Sequence, residues 1–492
     1  MTLVFVGWSS DDKVPAVVGE TKFGQGKVRV GSQPWVLCVT GNKLAAGSAT
    51  ADQDIDDVDS DEEADALYGA GSEIARQCYA AHLIPGCSVK GAPVAESAGA
   101  VGTATITIGA AWTAEGSLEF WIGRHAISVA TGASIAATVA NITAAINAIP
   151  GCFCTAADAS PVVNLSTRNK GPRNNEYYIK LDTSNMPTGM TCVVAGGAAT
   201  TSGLVPFQNG ATADTVANVI ALLKMEEYDI IAPAQNDAVA LALWEAHVDS
   251  EAGPLIGHLE ELVVGHNGTW AAALSIAQTT LNAYRAQVVW SQYDRAHPSE
   301  LAACWGAYRS VVEQTNPNPN YDGTVVPVST GQEALDVLLH AEKKTALNNG
   351  VTPITTVNGA GVVVRSICSH SLTGALADYR CLDTTDVSVP DRIRKEIVAE
   401  GEAWMAANPY VDDDPDTDEP PRPAGTGTPT MWNARVYATL KAAEQNNWIT
   451  DVESNLPTSE WDATAKRILT ACPVVVRPKN HQIGISVRQQ AA

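Results

Sequence analysis

Downstream of Thr212 the chain alternates short apolar runs with longer amphipathic stretches, and this alternation limits the fold more than any other feature. Tyr228–Pro233, Glu261–Gly265 and Ala286–Ser291 are compact, largely apolar runs. Asp237–Val248, Thr269–Asn282 and Pro298–Glu313 have helical spacing, the last with Pro in its first turn. Apolar strands separated by helices belong to a parallel sheet covered on both faces. Trp35–Thr40 is a strand of the same kind, Ser72 caps a helix running to about Leu83, and Thr212 can cap another through Lys224. The spacing predicts one α/β domain built from residues 31–90 and 211–390.

Residues 91–210 interrupt it with a different pattern. Thr103–Ile108, Ser117–Ile122 and His125–Ala130 alternate as strands, the last two joined at Gly123-Arg124. Ser134–Ile149 is one helix with Ile135, Val139, Ile142 and Ile146 on its apolar face. Strands follow near Cys152–Thr155, Val162–Thr167, Tyr177–Leu181 and Cys192–Ala195. This predicts an inserted β-sandwich-like domain, which a short linker in place of Ala92–Phe207 could replace. Further on, Leu335–Leu347 reads as a helix closed by Gly350, followed by strands Ile354–Val357 and Val362–Ile367 around Asn358–Gly361. A helix begins near Pro390-Asp391. Residues 391–478 then read as an α+β domain with helices Arg392–Ala407, Met431–Asn446 and Ser459–Thr470, and a strand at Val474–Val476. Arms at 1–30 and 479–492 carry strand-like Leu3–Trp8 and Gln482–Val487.

Composition removes several functions. A net charge of −23 opposes nucleic-acid or anionic-membrane binding. No apolar run reaches transmembrane length, so no membrane insertion is expected. The N-terminus has neither the basic flank nor the apolar length of a signal peptide. Ten cysteines without zinc spacing read as reduced thiols, with no metal or cofactor expected. Only 17% of residues are charged, which suits surfaces buried in an assembly.

Candidate chemistry is sparse. Asp52, Asp54, Asp56 and Glu63 fall on EF-hand-like ligand positions, but Asp57 stands where such a loop needs Gly. The preferred reading is a solvated loop leading into a helix capped by Ser60 or Asp61. Gly69 and Gly71 mark a turn rather than a phosphate loop, since no strand precedes them. His247, Asp249 and Ser250 are adjacent without triad order, and no G-x-S-x-G occurs, so no catalytic residue is expected. The basic loop Leu165–Asn175 reads as a structural turn, with anion binding as the alternative.

Five stretches, in order, resemble phrases of contractile phage tail sheath proteins. They are the strand ending at Gly41-Asn42-Lys43-Leu44, Leu67–Ala75, Leu165–Asn175 (where Arg173 and Asn174 depart from the usual small residues), Glu227–Pro233, and Leu335–Ile397, where Cys381 departs. Val474–Pro478 and the last strand resemble the end of such chains. The resemblance implies an α/β central subtilisin-like domain with an inserted β-sandwich-like domain, a C-terminal α+β domain, extended N- and C-terminal arms, and no catalysis. It implies a subunit that polymerises helically around a tail tube protein and contracts to drive the tube through a target envelope. Baseplate and tail terminator or neck proteins are its implied further partners. The implied location is the virion tail, assembled in the host cytoplasm. Leu3, Phe5, Trp8, Ile483, Ile485 and Val487 are the expected inter-subunit arm residues, and Arg435 and Lys441 the expected tube-facing ones. The competing expectations are a virion decoration protein or adhesin, and a subtilisin-related hydrolase.

Overall fold

The computed structural model describes residues 35–482 apart from 111, 113–115, 254–255 and 465. All six expected arm residues therefore lie outside the described residues.

The alternating segments build one eight-stranded sheet. In chain order its elements begin with β1 (Val36–Asn42), β2 (Asp56–Asp57), α1 (Asp61–Tyr68), α2 (Glu73–His82) and β3 (Ser88–Val94). After an excursion come α4 (Ala217–Leu223), β12 (Ile230–Pro233), α5 (Ala238–Glu251), β13 (Glu261–His266), α6 (Trp270–Leu274), β14 (Ala286–Trp290) and α7 (Pro298–Thr315). The sheet closes with α8 (His340–Asn348), β15 (Val351–Val357) and β16 (Ala360–Val363). Strand order is β16-β15-β14-β13-β12-β1-β3-β2, parallel from β15 to β3 and antiparallel at both edges. One face buries Leu37, Ile230, Val263 and Trp305 against α2 and α7. The other buries Cys38, Ile231, Leu262 and Trp244 beneath α4, α5, α6 and α8.

The excursion contains β4 (Val101–Gly109), β5 (Ser117–Ile122), β6 (His125–Ala130), α3 (Ile135–Asn147), β7 (Cys154–Ala159), β8 (Val162–Lys170), β9 (Tyr178–Asp182), β10 (Thr191–Ala195) and β11 (Val205–Pro206). Two four-stranded sheets, β10-β4-β8-β7 and β11-β9-β5-β6, share one core containing Ile106, Phe120, Leu165 and Ile179. Alternation sets this register: along β4 every second side chain is buried.

Beyond β16 lie a small hairpin, β17 (Leu372–Thr373) with β18 (Leu376–Ala377), and the long helix α9 (Thr385–Ala407). Then come β19 (Tyr410–Val411), β20 (Thr426–Gly427), α10 (Pro429–Gln445), β21 (Ile449–Thr450), β22 (Thr458–Asp462), β23 (Arg467–Ala471) and β24 (Val475–Val476). Helix α9 runs past the amino ends of the parallel strands and is fastened there by charge. Arg285 grips Asp391 with two bonds of 2.6 and 2.8 Å, and Lys395 reaches Asp229 at 2.9 Å. Arg394 donates to the carbonyls of Ala252 and Gly253, at the carboxyl end of α5, where a cation also meets the helix dipole favourably.

Several expectations need correcting. Ser459–Thr470 is not a helix but the β22–β23 hairpin; its alternating Ser459, Trp461 and Ile468 suit a strand, and Ser459 Oγ sits 2.9 Å from Thr470 Oγ1. Helix α9 starts five residues before Pro390, which lies inside it. Helix α8 starts at His340, not Leu335, because Gln332 holds the approach by accepting from Leu338 N and donating to Ile354 O. The β15–β16 turn has two residues, Asn358 (φ 52°) and Gly359 (φ 81°), both left-handed as a twisted hairpin requires. Strand β3 had no counterpart in the sequence reading and carries the parallel sheet to Val94, so a linker replacing Ala92–Phe207 would cut into it.

Candidate functional site

In open α/β sheets ligands bind at the carboxyl ends of the parallel strands. Here Asn42 ends β1, Gln235 follows β12, His266 and Asn267 close β13, and Ser291 follows β14. That edge is occupied by the chain itself, through the turn that leads from β8 into β9.

Arg173, on that turn, is 3% exposed. Its guanidinium pairs with both carboxylate oxygens of Glu73, with Asp214 at 2.6 Å, and with the Asn42 side chain. Glu73 is placed at the first turn of α2 by Ser72, whose hydroxyl accepts from Ala75 N. The same carboxylate accepts from Asn42 N at 3.0 Å. Burial alone would lower the Arg173 pKa; the two carboxylates reverse this and hold it above its ordinary value.

Beside it, Tyr177 is stacked between Phe153 (centroids 3.8 Å) and His297 (4.3 Å), with the Arg76 guanidinium 4.8 Å from the Tyr177 ring. Arg76 also pairs with Glu300 at 2.6 Å and donates to the Tyr177 hydroxyl. His297 caps α7 and donates through Nε2 to the Arg173 carbonyl at 3.1 Å. Burial depresses its pKa to about 3 and that of His266 to about 4, so both rings are neutral at pH 7. Asn267 donates to the Glu176 and Ala296 carbonyls, and Asn236 donates to the Glu176 carboxylate at 2.9 and 3.0 Å. Desolvation raises the Glu176 pKa to about 7. This edge is a filled electrostatic seam in which Arg173, Glu176 and Tyr177 of the excursion are held by Glu73, Asn42, Asn236, Asn267, Arg76 and His297.

The other candidates do not assemble. His247 Nε2 lies 3.2 Å from Glu260, while Ser250 Oγ donates to the backbone carbonyl of His247 rather than to its ring. Asp249 is exposed. The acidic run is divided between a turn where Asp54 accepts from Thr50 N, the short strand β2, and α1, which Ser60 caps. Gly69 and Gly71 both have positive φ at the α1–α2 turn. Arg435 lies exposed on α10, whereas Lys441 pairs with Glu444 at 2.6 Å and Glu453 at 3.2 Å. Among the described residues no His, Cys, Asp and Glu group has metal-site geometry, and no helix is long and apolar enough to cross a membrane.

The sequence reading missed the Arg173 cluster. Its signal was present: Arg173 breaks a pattern of small residues, but its partners lie as far off in sequence as Asn42.

No protein-family model and no curated protein matches the sequence. Solved structures do. A protein of Desulfitobacterium hafniense is 11% identical over 94% of this chain and all of its own, with a TM-score of 0.48. One from Listeria innocua is 12% identical over 91% of this chain and 93% of its own, with a TM-score of 0.49. Both are sheath tail proteins. The helical sheath of the anti-feeding prophage in its contracted state is 12% identical over 58% of this chain and 78% of its own, with a TM-score of 0.39.

Proposed function

We propose that the chain is the structural subunit of a contractile tail sheath, a helical homopolymer around a tail tube whose contraction drives the tube through a cell envelope. The observation that carries the reading is the unfinished state of the C-terminal region. Among the described residues from 409 to 482, every ladder is two-stranded: β19–β20, β21–β24 and β22–β23. Two-stranded ladders are marginal in water, and their open edges are templates for an added strand. Leu469 on β23 is 48% exposed and Val475 on β24 is 40% exposed, so apolar surface accompanies those edges. Strand-like segments at both chain ends, with Leu3, Phe5 and Trp8 or Ile483, Ile485 and Val487, are suited to pair there from neighbouring subunits.

Support also comes from convergence of the sheath-like phrases. Asn42, Glu73 and Arg173 lie in three separate such stretches and meet in one buried cluster, although Arg173 is itself a departure from its phrase. The filled carboxyl edge of the sheet speaks against a hydrolase. A non-closing contact between identical subunits makes a filament, the form of assembly this reading requires.

Purified full-length protein is expected to form hollow striated tubes in negative stain. Removing residues 483–492, or separately 1–10, is expected to leave a monomer that unfolds near the wild-type temperature and makes no tubes. The C-terminal cut falls after Gln482 because Lys479 and His481 contact Asp383 and Asp322 of the same chain. Long tubes from a truncated chain remove that arm as a coupler; a large drop in unfolding temperature shows that the strand completes its own subunit. For the tube-facing surface, Arg435→Glu alone is the cleaner probe, since reversing Lys441 also breaks its pairs with Glu444 and Glu453. Weaker co-assembly with tube protein at low salt is expected, and unchanged co-assembly discards Arg435 as a contact.

A further inference from the structure

Two thiols meet at the seam just described. Cys152 and Cys154 are both buried, and their sulfurs are 3.7 Å apart, on either side of Phe153 where the chain bends into β7. All ten cysteines of the chain are free. The sulfur–sulfur hydrogen bond shared with Cys154, aided by the nearby Arg76 and Arg168 guanidiniums, lowers the Cys152 pKa to about 7 against the opposing effect of burial. The same bond and burial push Cys154 above its ordinary value. One thiol is thus poised as the nucleophile, with a second in contact to resolve it.

We propose that Cys152 and Cys154 form a reversible dithiol–disulfide site whose oxidant is a small peroxide. The Cys152 thiolate attacks one peroxide oxygen, the O–O bond breaks, and the departing hydroxide takes a proton to leave as water. Cys152 is now a sulfenic acid. Cys154 loses its proton and its sulfur attacks that of Cys152; the S–O bond breaks and the hydroxyl leaves with that proton as a second water. Two thiols and one hydrogen peroxide become one disulfide and two waters. Both residues are almost wholly shielded (1% and 0% exposed), which excludes bulky disulfides and lets a small peroxide reach the sulfurs only when the surrounding packing opens locally.

The local packing gives the reaction a consequence. The Cys152 carbonyl accepts from Arg168 Nε at 2.7 Å, and a Cβ built on Gly71 would lie 2.3 Å from that oxygen, so the backbone has no slack on that side. Phe153 between the two thiols is the ring stacked on Tyr177. Closing a disulfide across a single residue must move Phe153, and so works directly on the seam between the excursion and the sheet. A ring this small departs from relaxed disulfide geometry, which favours ready reduction and a switch rather than a staple. None of this depends on the sheath reading.

The test uses full-length native protein treated with hydrogen peroxide, then acid-quenched, denatured, alkylated and digested. The peptide holding both cysteines is expected to be two hydrogens lighter and unalkylated, and dithiothreitol is expected to restore two alkylatable thiols. In Cys154→Ser, Cys152 is expected to stop as a dimedone-reactive sulfenic acid. The proposal is overturned if both thiols stay alkylatable while the more exposed Cys192 or Cys472 is oxidised. It is equally overturned if Cys152 passes to sulfonic acid in the wild-type protein with no disulfide formed.

Discussion

Replacing Arg173 by Met is expected to lower the unfolding free energy by about 3–5 kcal/mol, the range for breaking a buried ion pair from one side. The cost comes from what is left behind. Glu73 and Asp214 lose their shared cation at a buried position, and the Asn42 side-chain carbonyl loses a donor. Arg173→Lys should fail nearly as badly, because one ammonium cannot reproduce the fork that spans Glu73 and Asp214. The triple variant Arg173→Met/Glu73→Gln/Asp214→Asn is expected to recover most of the loss, since neutral amides remove the stranded charge. Urea unfolding followed by tryptophan fluorescence measures all three. If the triple variant is no more stable than Arg173→Met, stranded charge is not the cause of the loss. The same reasoning revises the linker replacement of Ala92–Phe207. Excision removes Arg173 and cuts β3, so it is expected to unfold the sheet edge rather than trim a free appendage.

How much of this was legible depends on the range of each interaction. Local rules placed the Ser60 and Ser72 caps and the Ser134 helix start, each serine accepting from the backbone N–H three residues on, but not Thr212, which has a φ of 68° and lies five residues before α4. The strands of the parallel sheet after Thr212 were legible because burial on both faces leaves mostly apolar side chains, with Glu261, His266 and Gln287 as buried exceptions. Strand β3 was not, because Ser88-Val-Lys-Gly-Ala-Pro-Val94 carries a Gly and a Pro that argue against a strand. Each has a tertiary reason. A Cβ at Gly91 would sit 2.3 Å from the Tyr68 hydroxyl oxygen, and Tyr68 donates to the Gly91 carbonyl. Pro93 gives up its N–H, yet its carbonyl still accepts from Asp52 N at 2.8 Å. The β22–β23 hairpin failed for the opposite reason: it is mostly exposed, so no buried face enforced a clean alternation. Candidate site residues were least legible. Arg173, Glu176 and His297 work through partners far away in sequence, and spacing carries no record of such meetings.

A second cluster should show a similar loss with a distinct pH signature. Arg309 on α7 is 0% exposed and joins four elements, donating also to Gln287 on β14 at 3.2 Å. It pairs with Glu313 on its own helix at 2.8 Å, with Glu261 on β13 at 2.7 Å, and donates to Ser388 Oγ on α9 at 3.3 Å. Ser388 in turn donates to Glu261 at 3.0 Å, so this cluster is a buried tie between the first turn of α9 and the central sheet, additional to the Arg285–Asp391 and Lys395–Asp229 pairs. Glu313 also accepts from Tyr321, and burial already raises its pKa against the pull of Arg309. Arg309→Met removes that pull and leaves two carboxylates in one dry site. A loss of about 3–5 kcal/mol is expected near neutral pH. Without the cation, the folded-state pKa of Glu313 rises further above the unfolded value, so the folded variant binds protons more tightly than its unfolded chain. Its stability is then retained below the unfolded pKa and lost as pH rises through the folded value. The deficit against wild type should therefore be smaller at pH 5 than at pH 8, measured as the shift in urea midpoint at each pH. An equal deficit at both would mean that water reaches the two carboxylates once Arg309 is gone, and that stranded charge is not what the variant loses.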